Sequence, residues 1–158
     1  MWKKIKPYVI SILIALGVGG LSSFLTRNNM YVYEIINRPT LSPPMILFPI
    51  VWAILFVLMG ISSAIVWQKH DENPDDVASA ITIYALQLIV NFFWTIIFFN
   101  MQAYLFAFVW LILLLVLIVV MIVQFHKLSP IAAYLQIPYA LWVAFAGYLT
   151  LMIYLLNR

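Results

Sequence analysis

The residues with the most legible chemistry are Gln87, Asn91 and Thr95, which recur every four positions in an apolar stretch and so share one helical face, with Trp94 beside them. An amide in hydrocarbon needs a hydrogen-bond partner, so this face must point into the protein. Two uses are open to it: a hydrogen bond that joins helices, which position alone favours, or a polar anchor in a ligand cavity. Trp52 and Trp142 also stand out, because each lies two or three turns inside an apolar stretch. A buried indole there seeks a partner or a π-face. Together with Asn91 they could line a flat, mostly apolar pocket, which is what a planar aromatic ligand requires.

Other chemistry is poorly supplied. His70 and His126 lie between the apolar stretches without metal-ligand spacing, and read as solvated interfacial residues. With no cysteine, the chain offers neither a disulfide nor a thiolate. It has no glycine-rich phosphate loop, nucleophile elbow or carboxylate pair placed for hydrolysis. No Asp, Glu, Lys or Arg stands within an apolar stretch beyond its ends, which argues against a proton or ion pump. The residues therefore imply no metal, no required cofactor and no catalytic acid or base.

The elements that must position Trp52, Asn91 and Trp142 are membrane helices. Of the 158 residues, 66% are hydrophobic and 8% charged, and the mean hydropathy is +1.09. So few charges cannot cover the surface of a soluble domain, so the apolar residues must face lipid. Five stretches, Ile5 to Thr26, Met45 to Gln68, Val77 to Phe99, Ala103 to Phe125 and Ile131 to Leu156, are each long enough to span the bilayer as a helix. They do not alternate as barrel strands would, which leaves helices as the only spanning form. The chain reads as one all-α domain, residues 1–158, a five-helix transmembrane bundle with no internal repeat.

The connections differ in kind. Loop one, Arg27 to Pro44, is the longest; its Tyr31 to Asn37 portion reads as a short helix stopped before Pro39. Loop two is short and acidic, and Asp75 or Asp76 is expected to cap the third helix. Loop three, around Asn100 and Gln102, is too short for anything but an antiparallel pair, and Pro130 in loop four starts the last helix. The net charge of +3 forms no basic stripe, so nucleic acid is not an expected partner. Lys3, Lys4, Lys6, Lys69 and Lys127 against Arg27, Arg38 and Arg158 put the N-terminus in the cytoplasm. Trp2, Trp67, Tyr84, Tyr104 and Trp110 read as interfacial anchors. Ala15 with Gly19, Gly60 with Ala64 and Ala140 with Ala144 would let backbones approach closely, within the bundle or in a homodimer.

The sequence also resembles the tryptophan-rich sensory protein or translocator protein family, the peripheral-type benzodiazepine receptor family, over nearly its whole length. The resemblance is carried by Gly19-Gly20, by Arg38-Pro39 followed by Ser42-Pro43-Pro44, Phe48 and Trp52, by Asn91, Trp94 and Phe98-Phe99, and by Pro138-Tyr139 with Trp142, Ala146 and Leu149. It implies a five-helix bundle, often a homodimer, in a bacterial-type plasma membrane, with loop one as a lid over a pocket. Family members bind porphyrins, notably protoporphyrin IX, and isoquinoline carboxamides. The resemblance places Tyr33, Pro43, Trp52, Phe56, Asn91, Trp142 and Ala146 in that pocket.

The same resemblance implies a receptor or sensor of tetrapyrroles, with a transporter of such lipophiles and a light-dependent porphyrin-degrading enzyme as alternatives. In the last, Trp52 and Trp142 would be the reactive residues. Two positions depart from the family: Val32 and Leu41 stand where tryptophans are usual, so the lid is expected to lack two rings. The sterol pattern of animal members matches only loosely and out of place, so sterol specificity is not implied.

Overall fold

A computed structural model describes all 158 residues. The chain is helical throughout: α1 Trp2–Thr26, α2 Val32–Ile35, α3 Leu47–Trp67, α4 Pro74–Thr95, α5 Tyr104–Leu128, α6 Pro130–Leu135 and α7 Ile137–Asn157. Five helical segments are long and apolar enough to cross a membrane: α1, α3, α4 with its terminal turn, α5, and α6 with α7. Their order around the bundle is α1, α3, α6/α7, α5, α4 and back to α1. Leu13, Ile54, Ile89, Val116 and Leu141 are exposed on the outside, where hydrocarbon is the solvent. The buried faces meet in a core around Met59, Leu111, Leu114 and Phe125.

Loop one folds as foreseen but shorter: a 3-10 turn at Arg27–Asn29 precedes α2, a single turn that ends where Ile36 becomes extended before Arg38-Pro39. The expectation for loop two needs correcting. Asn73 is the N-cap of α4 and Pro74 its first residue, so Asp75 and Asp76 lie within the first turn and make no capping bond. Their charges still suit the helix N-terminus, and proline is at home where no backbone N–H is needed.

Two irregularities shape the interior. The end of α4 widens into a π turn, Ile96–Asn100, which buries Ile97, Phe98 and Phe99 in succession. A regular helix cannot turn three consecutive side chains inward; the wider turn does, and such turns recur at functional sites. The last span breaks at Gln136, because Pro138 has no N–H to give the carbonyl one turn before it.

Small residues are used within the chain. A Cβ on Gly60 would lie 2.5 Å from the Ile12 Cα, so α1 and α3 touch backbone to backbone there. A Cβ on Gly19 would overlap the Phe56 ring. Trp2 and Trp67 are exposed near helix ends as anchors should be. Tyr84 and Trp110 are not anchors: Tyr84 is buried beside Ser63, and Trp110 donates its indole hydrogen to the Val90 carbonyl at 2.7 Å. Trp110 thus finds its partner inside the bundle, whereas Tyr84 is held there by packing, its hydroxyl buried without a hydrogen-bond partner.

Candidate ligand cavity

The half of the bundle under loop one is hollow. Its cavity has a volume of about 720 Å³, within the range of sites that enclose whole organic ligands. Four spans and the loop supply its walls. From α1 come Gly19, whose missing side chain leaves room for the Phe56 ring, and Gly20. From α3 come Phe48, Trp52 and Phe56, one helical turn apart and so on one face. From α4 and its π turn come Asn91, Trp94, Thr95 and Phe98, and from α7 Ala146 and Thr150.

The rings form a connected wall. The Trp52 ring lies 5.6 Å from Phe56 and 6.1 Å from Trp94, tilted by about 30° to each, while Tyr139 meets it edge-on at 6.1 Å. Such a wall offers broad π-faces to a flat molecule. Polar groups are few and mostly satisfied. Asn91 donates to the Tyr139 hydroxyl at 2.7 Å, and that hydroxyl donates to Gln87 Oε1 at 2.6 Å. Ser22 donates to the Phe92 carbonyl at 3.0 Å and is hydrogen-bonded to Thr95. The polar row of α4 thus bonds to neighbouring helices and also brings Asn91 to the cavity wall.

Loop one is a pinned lid. Tyr33, on the cavity wall, donates to the Pro43 carbonyl at 2.7 Å and packs edge-on against Phe48 at 5.0 Å. Asn29 donates to Asn100 at 2.8 Å, and Asn37 and Asn157 exchange two bonds of 3.1 and 2.8 Å, tying the lid to loop three and to the end of α7. Nothing in the spacing of these four asparagines, two in loop one and two at helix ends, announces the pairs. They are formed by topology.

Five of the expected residues, Tyr33, Trp52, Phe56, Asn91 and Ala146, line the cavity together. Pro43 does not; it acts through the hydrogen bond that orients Tyr33. Trp142 is also off the wall. It packs behind Phe48 at 5.8 Å and faces a shallower, lipid-side groove between α3 and α7, with its indole N–H buried and unpartnered. At the two positions where the family usually has tryptophan, neither Val32, buried under the lid, nor Leu41, exposed, lines the cavity. Residues unflagged by sequence include Arg27 and Glu34, both on the cavity's rim. Their signal was their place just beyond the first span, in a loop otherwise poor in charge.

The comparisons agree with this architecture. The TspO/MBR family profile matches residues 10–156. A tryptophan-rich protein TspO of Chlorobaculum tepidum is 36% identical over 152 residues, covering 94% of this chain and 92% of its own. One of Archaeoglobus fulgidus is 35% identical over 150 residues, covering 94% and 95%. The translocator protein of Bos taurus is 31% identical over 140 residues, covering 88% and 82%. A match spanning all five membrane helices shows that this chain belongs to the TspO/MBR family.

Proposed function

We propose that the protein is a plasma-membrane receptor for tetrapyrroles, taking protoporphyrin IX or a similarly flat lipophile into the cavity under loop one. The observation that carries this reading is the wall of Trp52, Phe56 and Trp94 around a 720 Å³ chamber with a single amide, Asn91, at its side. A planar macrocycle gains from apolar enclosure and ring contact, and needs few polar partners. Isoquinoline carboxamides fit the same description. The membrane is of bacterial plasma-membrane type, with the N-terminus cytoplasmic, and a homodimer belongs to the same reading. Titrating purified protein in nanodiscs with protoporphyrin IX tests it. Saturable quenching of tryptophan emission at micromolar ligand is the expected result, and its absence overturns the proposal.

One observation favours a second reading, light-dependent degradation of the porphyrin. Trp52 stands on the cavity wall, where a photoexcited ligand and dissolved oxygen would meet an oxidisable indole without any acid, base or metal. Trp142 stands behind that wall. Illumination in oxygenated buffer should therefore consume porphyrin more slowly in Trp52→Phe and at the parental rate in Trp142→Phe; unchanged rates in both remove tryptophan from the chemistry.

A further inference from the structure

We infer that Arg27 is an anion anchor at the cavity mouth, placed to hold the carboxylate of a planar amphiphile whose apolar body fills the chamber; this deepens the tetrapyrrole reading and rests on it. Arg27 follows α1 on the aqueous side of the bundle and lines the cavity rim. Its guanidinium covers the Phe24 ring at 3.8 Å and donates one N–H to the Phe24 carbonyl at 2.5 Å. Those two contacts hold the side chain in place while leaving most of its five donors free. No carboxylate pairs with it, for the one ion pair in the structure joins His70 to Asp71, next to each other at the far end of the bundle.

The chamber beneath contains no cation, and its few polar groups are largely engaged. A carboxylate carried into it would lose its hydration with nothing to replace it, at a cost far above what ring contact returns. It must stay at the mouth. Glu34 puts a single negative charge on the rim, and Arg38, itself off the lining, stacks 4.4 Å over the ring of the lining residue Tyr33. Protoporphyrin IX carries both its propionates on one edge. The geometry thus fixes its direction of entry, with the propionate edge at Arg27 and the opposite, apolar edge against Trp52 and Asn91.

The test compares protoporphyrin IX with its uncharged dimethyl ester on the full chain in nanodiscs of neutral lipid, by tryptophan quenching. Arg27→Gln should weaken the diacid about three- to tenfold at low salt and leave the ester unchanged, since a charge-assisted bond at a solvated rim has that modest strength. Glu34→Gln should tighten the diacid, and added salt should shrink both effects. The ester serves as the folding control for each variant. An equal change for diacid and ester in Arg27→Gln, or no change in either, overturns the assignment of Arg27. Failure of both compounds to bind the parent protein overturns the tetrapyrrole reading instead.

Discussion

The Asn91 amide donates to the Tyr139 hydroxyl at 2.7 Å, which joins α4 to α7 at the wall of the cavity and fixes which way the amide faces. Tyr139 is fully buried and hands its own hydrogen to Gln87. Replacing Tyr139 by Phe would strip both partners at once. We expect a loss of about 1 kcal/mol, near the upper end for single hydrogen bonds between membrane helices, read from unfolding in mixed detergent. Stability equal to the parent would show that Asn91 and Gln87 find other partners.

Gly60 sits where α1 and α3 touch, with Ile12 backbone atoms at 2.5 and 2.7 Å from the place a Cβ would take. Backbone cannot swing aside as a side chain can. Gly60→Ala should cost about 1–3 kcal/mol by forcing the helices apart. Gly17, in the same helix as Ile12, has nothing within 4 Å of its Cβ position, so Gly17→Ala should leave stability unchanged or slightly raised. Thermal melts of the pair check this contrast, and equal melting points would refute the close approach.

Ligand binding should respond differently to changes at Trp52 and at Trp142. Trp52 contributes a ring directly to the wall, whereas Trp142 only backs Phe48. Trp52→Ala is expected to weaken protoporphyrin binding about tenfold or more, in line with the loss of one aromatic contact surface. Trp142→Phe, which keeps a ring behind Phe48, should stay close to the parent affinity. A larger loss from Trp142→Phe would place that indole in contact with ligand.

Gln136 is fully buried, yet neither its amide nitrogen nor its oxygen bonds to any protein group. A polar side chain in that state costs more than an apolar one of similar volume. Gln136→Leu should therefore hold or raise the melting temperature. A drop of several degrees would mean that the amide is satisfied by a group bound between the helices.

Much of this was legible in residues alone. The five spans followed from the length and apolarity of each stretch, because hydrocarbon tolerates no backbone with unmet hydrogen bonds and so admits only helices of sufficient length. The inward direction of Gln87 and Asn91 followed from the same rule. Asp75 and Asp76 failed as caps because Asn73 caps the helix two to three residues earlier and Pro74 starts it, and helix ends are set by local competition that periodicity does not record.

What only the tertiary structure decided is which side chains share a space. Trp52 and Trp142 look equivalent as indoles inside apolar helices, and their depths in the membrane gave no ground to separate them. Side-chain direction depends on how each helix is rotated about its axis and on what packs beside it. Phe48 takes the place between Trp142 and the cavity, and the π turn after α4 swings Phe98 inward. Arg27 came to the rim in the same way: its charge was plain in the sequence, but its neighbourhood with Glu34 and the chamber exists only once α1, α2 and α7 are packed.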